Sequence, residues 1–377
     1  MKRYWLIMMT VAVLGGVLFT SCKEKDKPEP QEPTEETATD TRYDEHLSEG
    51  VFQPAYRIAN LYHDDAIYQT WEWGTSKLAS VEDAEEMCTY EFSYSGDQVS
   101  AITVTYEDGK VESLNFGYNG LLTRVEIAEG NMTKVVMGVS HNANDQITNV
   151  SLDYSDDYII DMATSQLLGK SVMSHVLSRS AMNGIVEMSK MLNERNAKNG
   201  AKYTVTNKHF ALVYTWNGDN LVREELSGNF SAMATINDVA NIFNLGQLAA
   251  VASYFANDSY PMSYTVESRT DYTFDGKVNP TRYYWGKGIA PSNLSKNNVL
   301  TATTEGRVEM AVTVTLPDSL NSMVRMAILS LWDGNTQHTY TREKDLSNSE
   351  THTYKYNSNN YLTSDACNGT VTKYKYK

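Results

Sequence analysis

The feature that most constrains the fold is a short repeated unit. It has two aromatic residues separated by one residue, then a turn containing Gly, Asn or Asp, then an aliphatic residue. A clear copy is Phe92-Ser93-Tyr94, followed by Gly96-Asp97 and Val99. Aromatic residues two positions apart lie on one face of a strand, and Gly with Asn or Asp accepts the positive φ of a tight turn. The unit therefore predicts a β-hairpin. Copies start at Trp71, Phe92, Phe116, Val139, Tyr214, Tyr272 and Tyr354.

The residues between these turns alternate in polarity. Ile102, Val104 and Tyr106 share one face of a predicted strand, and Thr103 and Thr105 share the other. One buried face and one solvated face are typical of an antiparallel sheet. We therefore expect a mainly β fold, in which a large, curved, barrel-like antiparallel meander is built from successive hairpins.

Three segments, near residues 162–196, 238–256 and 319–332, depart from this alternation and are predicted to be helical. Gly169 and Gly184 could bend or split the first. Asn237 or Asp238 is expected to cap the second, and Asp318 the third. Because the sheet needs its aromatic face covered, we expect two or three apolar helical insertions packed on it or inside it.

The start of the chain has the pattern of a secretory signal. Lys2 and Arg3 precede an apolar run over residues 6–19, which is shorter than the roughly 18–20 residues of a membrane-spanning helix. The run ends at Thr20-Ser21-Cys22. We expect residues 1–21 to be a lipoprotein signal peptide and Cys22 to carry the lipid that joins the protein to a membrane.

Residues 22–48 are rich in Glu, Pro and Thr and nearly lack apolar side chains. Such a segment does not bury enough surface to fold, and we expect a lipidated, flexible, acidic linker. Residues 49–377 are then a single β-rich repeat domain. The expected location is the outer membrane with the domain on the cell surface; the alternative is a domain that faces the periplasm.

The charge and the cysteines limit the function further. The formal net charge is −15, which disfavours nucleic acid as a partner. Cys88 and Cys367 remain once Cys22 is lipidated. They could form a disulfide in an exported protein, and equally both could be free thiols.

No motif in the sequence predicts catalysis. There is no nucleophile elbow, no Gly-rich phosphate loop and no pair of histidines with metal-ligand spacing. His63-Asp64-Asp65 is the best local metal cluster, and a solvated turn explains it equally well. We therefore expect no catalytic residue, no metal and no cofactor, and a protein that is not an enzyme.

Aromatic residues are the remaining candidates for a binding site. Tyr283, Tyr284 and Trp285 lie in a turn-rich region outside the hairpin repeats. Flat aromatic faces can stack on sugar rings, although packing within a loop explains the same residues. These three residues are the predicted binding site.

The repeated units resemble YD-type repeats. Together with the Cys22 motif, the linker, Asn279-Pro280 and Leu294-Ser295-Lys296-Asn297-Asn298, they are similar to a family of uncharacterised Bacteroidetes cell-surface lipoproteins. That family's domain, of unknown function, is described as porin-like. Over roughly residues 50–377, the resemblance implies a large antiparallel meander that curls toward a barrel. It implies no catalytic residue.

Three functional hypotheses follow from the sequence. The first is a surface-exposed binding or interaction lipoprotein whose ligand is a glycan or a protein. The second is a structural envelope component or partner subunit with no small-ligand site. The third is a cryptic glycan-active hydrolase, which would need two facing carboxylates in a cleft.

Overall fold

The computed structural model describes residues 57–75, 77–154, 177–199, 205–255, 259–279, 295–318, 320–358 and 360–376. These residues form one antiparallel sheet of 17 strand segments. The segments are β1 (Ile58–His63), β2 (Ala66–Trp73), β3 (Leu78–Asp83), β4 (Cys88–Ser95), β5 (Gln98–Tyr106), β6 (Val111–Asn119), β7 (Leu121–Glu129), β8 (Met132–His141), β9 (Ile147–Tyr154), β10 (Val205–Asn217), β11 (Asn220–Thr235), β12 (Ser259–Val278), β13 (Asn297–Thr315), β14 (Gln337–Asp345), β15 (Asn348–Tyr356), β16 (Leu362–Cys367) and β17 (Thr370–Tyr376).

The sheet closes into a barrel. Consecutive strands pair along the chain, and the last strand, β17, pairs with the first, β1. The segments β14 and β15 both lie against β13: β14 along Arg307–Thr315 and β15 along Thr301–Thr304. They keep one register along β13 and are two parts of one interrupted strand, so the closed barrel has 16 strands. The predicted meander is confirmed, and closure gives the first and last strands, β1 and β17, a partner on both sides, so neither is an open edge at which sheets aggregate.

The tight turn predicted at Gly276 is wrong, because β12 runs through that residue to Val278, which pairs with Asn297. The strand pairs at all seven predicted hairpins nevertheless share one feature. In each, the ladder shifts immediately before the second aromatic residue, or before His141 in the weaker copy. The shift places this residue opposite the first core residue of a partner strand, as in Tyr94 opposite Val99 and Tyr118 opposite Leu122. Each extra residue increases the local twist, so repeated bulges help the sheet to curve toward closure.

The polar atoms of several of these second aromatic residues also have a common role. Tyr118 Oη donates to the backbone oxygen of Val99 (2.9 Å), and Trp216 Nε1 donates to that of Ile147 (2.7 Å). Both acceptors belong to the aliphatic residue that begins the previous returning strand. Each bond therefore ties one hairpin to the hairpin before it.

Because the strands alternate in direction, the repeat turns that are formed all lie at one end of the barrel, which we call the repeat-turn end. The described chain enters there, since Arg57 donates to the backbone oxygens of Gly74 (3.0 Å) and Thr75 (2.6 Å). The opposite end carries the helices and is called the helix end. The helices are α1 (Arg179–Asn199), α2 (Ile236–Ile242), α3 (Gly246–Val251), the 3₁₀ helix η1 (Ala252–Phe255) and α4 (Ser322–Leu331).

The helix boundaries correct several expectations. The segment predicted near 238–256 is not one helix but three short ones, α2, α3 and η1. Asn244 adopts a left-handed backbone conformation (φ 56°), which separates α2 from α3. The cap of α2 is Thr235, while Asp238 is the third residue of a reciprocal capping box. Asn321, and not Asp318, caps α4. Residues 162–176 of the first predicted helix lie outside the described residues.

Gly184 allows α1 to pack closely on the inner face of the sheet. The helix is continuous through this residue, contrary to the expected bend. A Cβ at position 184 would lie 2.9 Å from Leu226 Cδ2 and 3.0 Å from Val266 Cγ2, and both of those side chains are fully buried. The predicted packing of a helix on the inside of the sheet is thus observed for α1.

The two faces of the barrel differ in chemistry. Inward-facing side chains of most strands form one continuous apolar core, to which β15 and β16 of the last repeat hairpin contribute no residue. The outward face of β11–β14 is charged, as seen at Glu225, Glu267, Arg269, Glu305 and Arg307. Within the described part of the chain, no helix has the length and apolar character needed to cross a membrane.

Candidate functional site

One sector of the inner face is polar. We define the polar wall by six inward-facing residues on four neighbouring strands: Glu350 and His352 on β15, Asp365 and Cys367 on β16, Thr372 on β17, and His63 on β1. Cross-strand pairing places them on one face, because His352 lies opposite Cys367, and Thr372 lies opposite both Asp365 and His63. The same face continues into the core through Leu61, which is opposite Tyr374.

His352 is held by Asp365. Its Nδ1 lies 2.9 Å from Oδ1 and 3.0 Å from Oδ2 of the carboxylate. Their side chains are 20% and 18% exposed, so solvent reaches a pair that points into the barrel. When Nδ1 donates to the carboxylate, the Nε2 atom of the neutral ring is left as an acceptor or metal ligand.

Glu350 and Cys367 flank this histidine. Glu350 is two residues before His352 on the same face of β15, and one ligand atom from each of Glu350, His352 and Cys367 can be chosen so that all lie within 4.8 Å of one another. Arg179, the first residue of α1, places a guanidinium nitrogen 3.4 Å from Glu350 Oε1. Burial, together with the carboxylates of Glu350 and Asp365, raises the pKa of the Cys367 thiol.

His63 forms the other side of the polar wall. Its Nδ1 lies 2.6 Å from Glu85 Oε1 and its Nε2 lies 3.0 Å from Thr372 Oγ1. The ring of Tyr68 stacks on the His63 ring, with a centroid distance of 3.6 Å. Burial, with smaller contributions from Asp83 and Glu85, raises the pKa of Tyr68 far above its ordinary value. Tyr68 is therefore a neutral phenol at this site.

A more deeply buried polar cluster continues from the wall beneath α1. Glu224 on β11 is completely buried and accepts a hydrogen bond from Ser178 Oγ. Its second oxygen has no hydrogen-bond partner among the described residues. Burial raises the pKa of the Glu224 carboxyl to about 7, against the opposing effect of the Ser178 bond. Nearby, Thr304 Oγ1 lies 3.0 Å from both Thr270 Oγ1 and Ser180 Oγ.

A shallow charged groove crosses the outward face of β11–β14. It has a volume of about 660 Å³ and contains no aromatic side chain. Its charged lining residues are Glu225, Glu267, Arg269, Glu305, Arg307, Glu343 and Asp345. Arginine and carboxylate side chains partly neutralise one another here, as between Arg307 and Glu343 at 3.9 Å.

Only some of the site residues predicted from the sequence lie within the described part of the chain. Tyr283, Tyr284 and Trp285 lie outside the described residues, as does Cys22. Cys88 and Cys367 are both free thiols, so the disulfide left open by the sequence is not formed. Cys88 is buried on β4, and four strands separate it from Cys367 in the sheet. Of the local cluster His63-Asp64-Asp65, Asp64 and Asp65 form the turn that joins β1 to β2.

Sequence reasoning missed the grouping of Glu350, His352 and Cys367. A signal was present, because Glu350 and His352 are separated by one residue and share a face of a predicted strand. Cys367 lies on the returning strand of the last repeat hairpin, directly opposite His352. The exact register of that hairpin depends on its bulge before Tyr356, and a bulge is not evident from residue alternation alone.

Comparison with known proteins adds little to this geometry. No protein-family model matches the chain, and no curated protein sequence matches it. One similar solved structure is a porin-like protein from Bacteroides uniformis, which is 11% identical. The alignment covers 82% of this chain and 90% of that one, with a TM-score of 0.29. A superposition this weak supports no argument about function.

Proposed function

We propose that this protein is a lipid-anchored envelope protein that binds an oligosaccharide at the polar wall and does not catalyse a reaction. The observation that carries the proposal is the His352–Asp365 pair, which is partly exposed inside a barrel whose other inner surfaces are mostly apolar. A pre-oriented imidazole and carboxylate provide the donors and acceptors that sugar hydroxyls need. The neighbouring Tyr68 ring adds an aromatic surface.

The outward face supports a barrel that stands in water. On a lipid-facing strand near the middle of a bilayer, an Arg or Lys side chain costs about 2–4 kcal/mol, and an Asp or Glu side chain costs less. Glu225, Glu267, Arg269, Glu305 and Arg307 all point outward from β11, β12 and β13. The proposed attachment is therefore the lipid on Cys22, with the barrel outside the bilayer.

The position of the first described residues supports an exposed site. Arg57 is bound to the turn at Gly74 and Thr75, at the repeat-turn end. His63 and Cys367 end β1 and β16 toward the helix end. We propose that the tether leaves one end of the barrel and that the polar wall is reached from the other. This arrangement suits a domain displayed on the cell surface.

A glycan array with the mature chain, residues 22–377 carrying Cys22→Ser, tests the proposed function. We expect one class of oligosaccharide to bind. Calorimetry with that oligosaccharide in the presence of a chelator should then show at least tenfold weaker binding for Asp365→Asn and for His63→Gln, since each change removes a polar partner while preserving the size of the side chain. The matched control is Arg307→Gln in the outward groove, which should bind like the parent.

The other outcomes select between the alternatives. Binding lost in Arg307→Gln but retained in the two wall variants would move the site to the outward groove. Binding to no glycan would contradict the proposal and favour a structural component or partner subunit. Cleavage of the bound glycan, lost in Glu350→Gln, would instead indicate a hydrolase.

A further inference from the structure

We propose that Glu350, His352 and Cys367 form a zinc site on the inner face of the barrel, with three protein ligands and one coordination position left for water. This site lies within the polar wall and shares His352 with the proposed glycan binding, but metal binding requires only these three side chains and no bound glycan. The ligands would be a carboxylate oxygen of Glu350, Nε2 of His352 and Sγ of Cys367. A mixed set of oxygen, nitrogen and sulfur ligands suits Zn²⁺.

The spacing of the ligand atoms is close to what zinc needs. At metal–ligand distances of about 2.0–2.3 Å, tetrahedral ligands lie about 3.5 Å apart. One ligand atom from each of the three residues, counting either ring nitrogen of His352, already lies within 4.8 Å of the other two, so side-chain rotations can bring a carboxylate oxygen, Nε2 and Sγ together. The backbone supports the arrangement, because His352 and Cys367 are cross-strand partners and Glu350 is on the same strand face as His352.

Asp365 supplies a second, independent feature of a metal site. Histidines that bind metals commonly donate their other ring nitrogen to a carboxylate, which fixes the orientation of the ring. Asp365 makes this contact with Nδ1 of His352 at 2.9 Å. Because the carboxylate accepts a hydrogen bond, Nδ1 carries the proton of the neutral ring. The lone pair is then on Nε2, the nitrogen that we assign to the metal. Asp365 is a positioning residue and does not bind the ion.

The site is also accessible. The side chains of Glu350 and His352 are 18% and 20% exposed, so an ion can enter without unfolding the barrel. Arg179 is 77% exposed and lies 3.4 Å from Glu350. An exposed ion pair of this kind is weak, and the guanidinium can move aside when a cation binds. Its removal should therefore strengthen metal binding slightly.

Cobalt titration of the mature Cys22→Ser chain tests this site, because a cysteine thiolate bound to Co²⁺ gives a charge-transfer absorption band. We expect the band to appear at one equivalent of Co²⁺ and to be displaced by Zn²⁺. It should be lost in Cys367→Ser and retained in Cys88→Ser, which removes the other thiol. Asp365→Asn should keep the band but weaken the affinity about 10- to 100-fold.

A second readout keeps the proposal falsifiable if Cys367→Ser does not fold. Glu350→Gln preserves the thiol and the size of the side chain, and should weaken Zn²⁺ binding at least tenfold in calorimetry. Arg179→Gln should bind Zn²⁺ at least as tightly as the parent. A parent chain that gives no thiolate band, or a band that persists in Cys367→Ser, would overturn the site. Glycan binding that is unchanged by chelator would leave the proposed function standing in either case.

Discussion

The hydroxyl of Tyr94 donates a hydrogen bond to the backbone oxygen of Leu78 across a distance of 2.9 Å. Tyr94 is the second aromatic residue of one hairpin repeat, and Leu78 begins the returning strand of the hairpin before it. Tyr118 and Val99 repeat the relationship one hairpin later. The repeated aromatic residue thus links neighbouring hairpins as well as filling the core.

We predict that Tyr94→Phe destabilises the barrel by about 1 kcal/mol, because the ring is kept and one hydrogen bond is lost. Tyr118→Phe should cost a similar amount. The measurement is urea denaturation followed by circular dichroism. Tyr254→Phe is the matched control, since Tyr254 is exposed on η1, and it should unfold like the parent. Equal stability of all three variants would contradict the proposed link between hairpins.

We predict that Gly228→Ala destabilises the barrel by about 1–3 kcal/mol through overpacking. Gly228 on β11 lies opposite Phe210 on β10, and a Cβ at position 228 would lie 2.2 Å from Phe210 Cδ1. The midpoint of thermal or urea unfolding measures the effect. Gly246→Ala is the control, because a Cβ there meets nothing within 4 Å. A Gly228 variant as stable as the Gly246 variant would contradict the packing of Phe210.

We predict that Glu224 makes the barrel less stable as the pH rises from about 4.5 to about 7. The folded state raises the pKa of this carboxyl to about 7, so over this interval the folded chain holds a proton that the unfolded chain has released. Stability therefore falls with rising pH, by up to about 3 kcal/mol in total. The stability of Glu224→Gln relative to the parent should increase across this interval and stay constant above it.

The measurement for Glu224 is the difference in unfolding free energy between variant and parent at several pH values. Glu225→Gln is a matched control, because the neighbouring carboxylate points outward and is exposed. The difference in unfolding free energy between Glu225→Gln and the parent should not change with pH in this way. A difference for Glu224→Gln that stays constant between pH 4 and 8, a window set by the two pKa values, would contradict burial of the charge.

We predict that the two thiols of the Cys22→Ser chain react at different stages of unfolding. Cys88 is 5% exposed, and burial raises its pKa to about 11, so it is neither accessible nor ionised in the folded protein. Cys367 is half-buried. Iodoacetamide labelling with mass spectrometry should modify Cys367 first and Cys88 only in denaturant. Recovery of a Cys88–Cys367 disulfide peptide would contradict the free thiols of the structure.

Much of the fold follows from local sequence rules. The turns after Tyr94 and Trp216 lie where Gly with Asp was expected, because positive φ is a local property of these residues. Closure was not predictable in this way. It depends on β17 pairing with β1, which lies more than 300 positions earlier in the chain (Tyr376 opposite Ile58). A local sequence pattern does not indicate such a distant contact.

The helices and the candidate site show where sequence reasoning stops. Apolar composition marked the segment near 238–256, but Asn244 divides it by adopting a left-handed conformation that composition does not reveal. The polar wall depends on cross-strand register, which sets Cys367 opposite His352. A single bulge moves a side chain by one position along the partner strand. Individual residues were therefore visible in the sequence, but their grouping was not.

The polar wall is tested most directly by the ring resonances of its histidines. We expect addition of the tightest-binding oligosaccharide, in the presence of chelator, to shift the NMR signals of His63 and His352. The signals can be assigned from the spectra of His63→Gln and His352→Asn. His209 points outward from β10 and is exposed, so its signal should stay in place. A shift at His209 alone, or no shift at either wall histidine, would contradict ligand binding inside the barrel.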